Sequence, residues 1–168
     1  MFGGSGADDE FDTFAVAAWP RLRWSAYLLT GDHHLAEDLA QTALARTYGA
    51  WGRVRRNDAV AYSRKVLVHL NIDRMRRRRV TEVGDQALAY EAAAERGDAV
   101  ADRDEVQRLL ARLTDKERRV VVLRHYFDLS ELDVAAELEI APGTVKSTLS
   151  RALAKMRVAA AAYETTKG

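Results

Sequence analysis

The sequence predicts an all-α protein made of two small helical domains joined by a flexible acidic linker. Three observations support this fold class. Only two of the 168 residues are proline, and alanine and leucine, which favour helices, are abundant. Apolar residues recur at helical spacing over most of the chain. This periodicity weakens between Val80 and Asp104, where alanine, glycine and acidic residues dominate, so we place the linker at residues 81–103.

The first domain is expected at residues 10–80. It follows a glycine-rich, acidic stretch, residues 1–9, which we expect to be a flexible tail. The first helix is predicted over residues 10–30. Pro20 falls inside the helical pattern and lacks an amide proton, so we expect it to kink or restart this helix. Gly31 is expected to end it.

Asp32 is suitably placed to cap a second helix, predicted from about His33 to Trp51. The exposed face of this helix begins with histidines and carboxylates at helical spacing, which could bind a metal or act in acid–base chemistry: His33, His34, Glu37 and Asp38. No further cluster in the sequence supplies the remaining ligands, and an acidic first turn complements the helix dipole. We favour a protein-binding face that includes Glu37, Asp38 and Gln41, and we expect no cofactor.

The next stretch, WGRVRRND at residues 51–58, is predicted to be a loop that combines an aromatic ring with three arginines. Such a loop suits single-stranded nucleic acid, because rings stack on unpaired bases while cations neutralise phosphates. The alternative is that Trp51 belongs to the core.

A third helix is predicted over residues 59–79, with Val66, Leu67 and Leu70 among its buried positions. Its other face is rich in polar and basic side chains: Tyr62, Arg64, Lys65, His69, Asn71 and Arg74. The helix ends in four consecutive arginines, Arg76–Arg79. Such like charges repel unless a polyanion lies alongside, and nucleic-acid phosphate fits this requirement.

The second domain is expected at residues 104–160, followed by a tail at 161–168. Thr114 and Glu117 form a capping-box pattern that opens one of its helices. Ser130 then caps a shorter helix that begins near residue 131.

A turn at residues 139–141 leads into the last helix, where Pro142 suits the first turn because its missing amide proton is not needed there. Two short helices joined in this way form a helix-turn-helix. The outward face of the last helix carries hydroxyls and cations and no carboxylate, which suits base edges and phosphates: Thr144, Lys146, Ser147, Ser150, Arg151 and Lys155. A plain helical hairpin with a solvated basic surface is the alternative.

The net charge is only +1, but the charge alternates along the chain. Residues 1–45 carry −5, residues 46–79 carry +9, residues 80–105 carry −6 and residues 106–168 carry +3. Two separated basic blocks predict two nucleic-acid contacts on a frame that is otherwise not basic.

The composition also excludes several classes of protein. The chain has no cysteine, which rules out disulfides and thiolate metal sites. It has no basic-then-apolar leader and no apolar run near the ~18 residues of a membrane span. We therefore expect a cytoplasmic protein without direct membrane insertion.

The whole chain, from about residue 10 to 158, resembles the extracytoplasmic-function branch of the bacterial sigma-70 family. AYLLTGDHHLAEDLAQTALARTY is similar to the helices with which that family binds polymerase. VHLNIDRMRRRR is similar to the helix that handles the minus-10 element. LTDKERRVVVLRHYFDLSELDVAAELEIAPGTVKSTLSRAL is similar to the reader of the minus-35 element.

The resemblance implies a dissociable RNA polymerase subunit that recognises promoters, helps to open the duplex and is not an enzyme. Its partners would be promoter DNA, the β′ clamp and β flap of core RNA polymerase, and an anti-sigma factor, with no small-molecule substrate. The polymerase contacts would be Glu37, Asp38, Leu39 and Gln41. The minus-10 contacts would be Arg53, Arg55, Arg56, Asn57, Tyr62, Lys65, His69, Asn71, Arg74 and Arg77. The minus-35 contacts would be Thr144, Lys146, Ser147, Ser150, Arg151 and Lys155.

The chain departs from the family pattern at two positions in the predicted helix-turn-helix. Glu139 stands where the turn of the reader usually has glycine, so it must adopt an awkward backbone or the turn must rearrange. Thr148 stands where arginine is frequent.

Two other classes stay open on the residues alone. A conventional helix-turn-helix regulator could share the last 60 residues, but residues 1–80 show no strand–helix alternation for a receiver or ligand domain. A nucleic-acid-processing enzyme would need clustered carboxylates for metal ions, which only His33 to Asp38 begins to offer.

Overall fold

The computed structural model describes residues 4–82 and 98–167. These residues form helices and connecting turns with no β-strand. The chain divides into two compact units, Met1–Glu91 and Ala92–Gly168. The all-α class with two helical domains is therefore confirmed. Most of the expected linker, including the helix considered near residues 86–96, lies outside the described residues.

Three helices build the first unit: α1 (Gly4–Thr30), α2 (His33–Gly49) and α3 (Ala59–Glu82), with a short 3₁₀ turn before α3. Their core combines leucines with alanines that are wholly buried and let the helices approach closely: Leu22, Ala26, Ala36, Leu39, Ala40, Ala43, Leu67 and Leu70. The chain passes from α1 to α2 through Gly31, whose φ of 71° lies in the left-handed region that favours glycine. Asp32 Oδ1 then accepts a hydrogen bond of 3.0 Å from the amide of Leu35, so the predicted cap is confirmed.

The first helix begins at Gly4, so the prediction of a flexible tail through residue 9 is wrong for residues 4–9. The first turns are held by side chains that sequence spacing does not reveal. Tyr48 donates a hydrogen bond of 2.8 Å to Asp8, and Glu10 forms an ion pair with Arg56. Of the kink or restart expected at Pro20, the restart does not occur, because α1 runs through this exposed proline as one helix.

The second unit contains α4 (Asp98–Leu110), α5 (Asp115–Val121), α6 (Glu131–Leu138) and α7 (Pro142–Lys167). Its buried side chains come from all four helices and from the turn after α5: Leu110, Val120, Val121, Val122, Leu123, Val134, Val145 and Ala152. α7 continues to Lys167, so the described part of the segment expected as a tail, residues 161–168, is helical. The guanidinium of Arg108 lies 4.6 Å from the ring centroid of Tyr163, which holds these last turns against α4.

Local capping in the second unit follows the sequence closely. Thr114 and Glu117 form the predicted capping box, with each side chain accepting the other's backbone amide. Ser130 Oγ accepts a hydrogen bond of 3.1 Å from the amide of Asp133 and starts α6 at residue 131. A single π-helical turn, Val122–Tyr126, follows α5 and was not predicted.

Candidate nucleic-acid interface

The helix-turn-helix is formed by α6 and α7, and its turn depends on Glu139. This residue adopts φ 54° and ψ 46°, the left-handed conformation that glycine adopts at little cost. Ile140 donates its amide to the carbonyl of Ala135 at 3.0 Å, and Pro142 begins α7 immediately afterwards. The awkward backbone predicted at Glu139 is therefore present.

The outward face of α7 presents a basic and hydroxylic surface. Lys146, Ser147, Ser150 and Arg151 are exposed, and Thr144 is half-buried. In the part of the chain that the structure describes, neither Lys146 nor Arg151 forms an ion pair. Both cations are thus available to a nucleic acid, whose phosphates and guanine edges accept hydrogen bonds.

Lys155 does not belong to this free surface, although its position in the sequence suggested it. Its Nζ lies 2.8 Å from Oε2 and 2.9 Å from Oε1 of Glu117, whose side chain is only 9% exposed. This geometry gives Lys155 a structural role, because its charge neutralises a carboxylate at the start of α5, and its minus-35 contact stays a prediction. Burial has the largest single effect on the pKa of Glu117 and raises it. The hydrogen bonds from Lys155 and Thr114 and the charge of Lys155 together outweigh burial, so the pKa of Glu117 is lowered.

Trp51 is a core residue, which decides between the two assignments left open by the sequence. It is 4% exposed, and its ring centroid lies 5.1 Å from those of Phe11 and Phe14. Its indole cannot stack on a base in this conformation. The loop at residues 51–58 therefore contributes cations and polar groups, with its aromatic ring turned into the domain.

The cations of this loop differ in their surroundings. Arg53, Arg55 and Asn57 are exposed, and the two arginines form no ion pair in the described residues. Arg56 is engaged by the protein itself: it contacts Glu10, two backbone carbonyls and the Trp51 ring. These contacts give Arg56 a role in loop structure, and its contact with the minus-10 element stays a prediction.

On α3, Tyr62, Lys65 and His69 are exposed and follow one another at intervals of three and four residues, so they share one stripe. Asn71 does not share it. It lies four residues after Leu67, in phase with the core, and is only 2% exposed. The assignment of Asn71 as a minus-10 contact is therefore corrected.

Two further basic positions follow on α3. Arg74 is half-buried, and Arg77 is exposed near the end of the helix. They continue the cationic character of α3 toward the arginine run that ends it.

On α2, Asp38 and Gln41 are exposed, as a protein-binding face requires. Glu37 is half-buried and forms an ion pair of 3.2 Å with Arg23. Leu39 is 7% exposed and packs in the core, which corrects its assignment as a polymerase contact. His33, considered above as a metal ligand, stacks on Tyr27 with ring centroids 4.0 Å apart.

Within residues 4–82 and 98–167, no group of three or more His, Cys, Asp or Glu side chains could hold a metal ion. No helix in the same ranges is both long and apolar enough to cross a membrane.

The sequence analysis missed the hydrogen bond between Asp8 and Tyr48, because residues 1–9 were predicted to be a tail, and it gave Glu10 no ion-pair partner. The available signal was the pair Phe11 and Phe14, spaced by three residues directly after the acids, as in an amphipathic helix that extends backward.

Comparison with known proteins agrees with this architecture unit by unit. The family models for Sigma-70 region 2 and Sigma-70, region 4 match residues 16–81 and 103–156. RNA polymerase sigma-E factor of Streptomyces coelicolor is 40% identical over 149 residues, covering 88% of this chain and 84% of that protein. The ECF RNA polymerase sigma factor SigW of Bacillus subtilis is 30% identical, covering 90% and 89%.

A solved structure is also similar: the sigma factor RpoE of Bartonella quintana, in complex with the anti-sigma factor NepR. Its TM-score is 0.74 at 25% identity, with 88% of this chain and 94% of that chain covered. With both sigma regions matched in order and full-length relatives at this identity, the chain belongs to the extracytoplasmic-function branch of the sigma-70 family.

Proposed function

We propose that the chain binds core RNA polymerase, directs it to promoters through minus-35 and minus-10 elements, and assists opening of the duplex. The observation that carries this proposal is the presence of a free cationic surface in each unit. One lies on α7 of the helix-turn-helix, and the other lies on the loop at residues 51–58 with the exposed stripe of α3.

The two surfaces suit different forms of DNA. α7 presents Lys146, Ser147, Ser150 and Arg151 along one face of a helix, which is the shape that enters a major groove. The first unit presents Arg53 and Arg55 on an irregular loop beside Tyr62, a surface better suited to an unpaired strand. A base extruded from the duplex costs a few kcal/mol in lost stacking and pairing, which such contacts offset.

The face of α2 that carries Asp38 and Gln41 is the surface that we propose for the β′ clamp. Both side chains are exposed, and Glu37 borders them while paired with Arg23. We also propose that the chain has no catalytic chemistry of its own. The RpoE relative is bound to an anti-sigma factor, and we propose a protein inhibitor of the same kind for this chain.

Assembly with polymerase is the property that separates this proposal from a conventional helix-turn-helix regulator. Purified chain is mixed with core RNA polymerase, and the mixture is separated by size. We expect a stable complex, and we expect selective retention of promoter fragments from a genomic DNA pool only when core is present. Failure to bind core, together with tight binding of specific duplexes by the chain alone, would favour the regulator.

A further inference from the structure

The loop at residues 51–58 has its own backbone hydrogen bonds, and the Arg56 side chain adds contacts to two of its carbonyls, to Trp51 and to α1. Its Nη1 donates to the carbonyl of Trp51 at 2.9 Å and to that of Val54 at 3.2 Å. Its guanidinium carbon lies 4.2 Å from the Trp51 ring centroid, and its Nε donates to Glu10 Oε2 at 2.8 Å. The planar fork of a guanidinium can make all these contacts at once, whereas an ammonium cannot.

The other side of this arrangement is the start of α1. Phe11 lies against Tyr48 and Trp51, with ring centroids 4.9 and 5.1 Å apart. Tyr48 donates to Asp8 at 2.8 Å, and this bond raises the pKa of Tyr48. The first turns of α1 thus contact both the helix that leads into the loop and Arg56 within it.

These contacts lie before the stretch that the family model matches. The match to Sigma-70 region 2 begins at residue 16, whereas Asp8, Glu10, Phe11 and Phe14 all precede it.

We propose that the first turns of α1, residues 8–14, position the loop at residues 51–58 for capture of the unpaired minus-10 strand. Glu10 and Arg56 are positioning residues, and Arg53 and Arg55 are the cations that meet phosphate. The inference rests on the proposed function, since it adds a part to the minus-10 surface described there.

Energetics explain why positioning is the role that fits Glu10. Both members of the ion pair are well exposed, with side chains 46% and 61% accessible, and such pairs contribute little to overall stability. The pair instead fixes the orientation of the Arg56 guanidinium, which donates hydrogen bonds to the carbonyls of Trp51 and Val54. A loop ordered before binding loses less conformational entropy when DNA arrives.

The opposite role is competition, in which Glu10 occupies Arg56 and keeps it from phosphate. Positioning is favoured because Arg56 has further partners inside the loop and on Trp51, so release from Glu10 would not free its guanidinium for a phosphate. The two roles predict opposite effects when Glu10 is neutralised.

The first test follows hydrogen exchange of residues 52–58 in the free, full-length chain. Glu10→Gln and Arg56→Lys should speed exchange in the loop, with the melting temperature nearly unchanged. Asp9→Asn removes the same charge one residue from Glu10, at a side chain that forms no hydrogen bond or ion pair among the described residues, and should leave exchange as in the wild type. Unchanged exchange in both Glu10→Gln and Arg56→Lys would overturn the proposal.

The second test measures affinity of the complex with core RNA polymerase for a fork-junction DNA. The probe carries a single-stranded non-template minus-10 segment copied from a promoter found by run-off transcription. Glu10→Gln should bind about threefold to tenfold more weakly than Asp9→Asn, the range expected when one or two side chains must be ordered on binding. Equal or tighter binding by Glu10→Gln would contradict positioning, and tighter binding would establish competition.

The salt dependence of DNA binding distinguishes the role of Arg53 from that of Arg56. Arg53→Ala should reduce the slope of log affinity against log salt by about 0.7, since one phosphate contact is lost. Arg56→Lys should weaken binding without changing that slope. Full affinity in Arg56→Lys would mean that its charge contacts phosphate.

The failure of the proposed function and the failure of this inference give different results. If the wild-type complex does not bind the probe, the proposed function fails. Normal wild-type binding with no difference between Glu10→Gln and Asp9→Asn refutes only this inference.

Discussion

Lys155 of α7 donates hydrogen bonds to both carboxylate oxygens of Glu117 at the start of α5, at 2.9 and 2.8 Å. Glu117 also accepts the amide of Thr114 at 3.0 Å and so completes the cap of α5. One nearly buried carboxylate therefore joins the helix that carries the DNA-binding face to the scaffold of the second unit. This pair explains why a lysine in phase with the basic face of α7 is structural.

Lys155→Ala should lower the free energy of unfolding of the second unit by about 1 to 2 kcal/mol, since it leaves a nearly buried charge without its cation. Lys146→Ala, an exposed lysine on the same helix, should leave stability unchanged and weaken DNA binding. Circular dichroism follows the unfolding of both units, whereas tryptophan fluorescence follows that of the first unit alone, because all three tryptophans lie there. Equal stability of the two variants would contradict the structural role.

The same pair predicts how stability depends on pH. The folded state lowers the pKa of Glu117 below that of the unfolded chain. The unfolded state therefore binds more protons in acid, and the contribution of the pair, present above the ordinary glutamate pKa of about 4.3, is lost as pH falls below it. Lys155→Ala should weaken this acid sensitivity.

Glu139→Gly should stabilise the second unit by some tenths of a kcal/mol to about 1 kcal/mol. The gain arises because glycine adopts a φ of 54° without steric cost, and it is partly offset by the greater freedom of glycine in the unfolded chain. Ala136→Gly, in the interior of α6, is the matched control and should destabilise by about 1 kcal/mol. A lower melting temperature for Glu139→Gly would show that this turn gains nothing from glycine.

Thr148→Val should also stabilise the second unit, by about 1 kcal/mol. Thr148 is 1% exposed, and its hydroxyl has no hydrogen-bond partner among the described residues. Valine keeps the shape and removes a buried polar group that is not satisfied. Thr148→Ser keeps the hydroxyl and loses the methyl group, so it should be destabilising. Chemical denaturation of the wild type and the two variants ranks their free energies of unfolding. A valine variant less stable than the wild type would refute the explanation.

Arg151→Ala should weaken minus-35 binding by about 1 to 3 kcal/mol if the guanidinium contacts a base through two hydrogen bonds. Competition among DNA duplexes that differ at single positions checks this expectation. Loss of discrimination at one base pair would locate the contact. Uniform weakening across all sequences would place Arg151 on a phosphate instead.

Asp38→Arg should lower affinity for core RNA polymerase by about tenfold to a hundredfold, because a reversed charge opposes a complementary interface. Asp12→Arg makes the same charge change on α1 and should not. Leu39→Ala should instead lower the free energy of unfolding by about 2 to 4 kcal/mol, as expected of a core leucine. Titration of core with each folded variant measures the first two effects, and equal affinities would remove Asp38 from the interface.

Helix caps and turns were predictable because each depends on residues close in sequence. Asp32, Thr114 with Glu117, and Ser130 all act within three residues of the helix start. At Glu139 the sequence left two alternatives, an awkward backbone or a rearranged turn, and the structure has the first.

Side-chain pairings across the fold could not be predicted in this way. Glu117 and Lys155 are 38 residues apart, and Glu10 and Arg56 are 46 apart, so neither pair leaves a local pattern. Asn71 was assigned to the minus-10 contacts because it is polar, although its position four residues after Leu67 places it on the buried face of α3. The π-helical turn after α5 left no signal that was recognised in the sequence.

Run-off transcription on a genomic promoter library shows whether this chain gives core RNA polymerase its promoter specificity. Purified core is assayed with and without the chain. We expect new transcripts whose start sites share two upstream elements at fixed spacing, and we expect them to disappear with Arg151→Ala. No new start sites with a core that is active with another sigma factor would contradict the account.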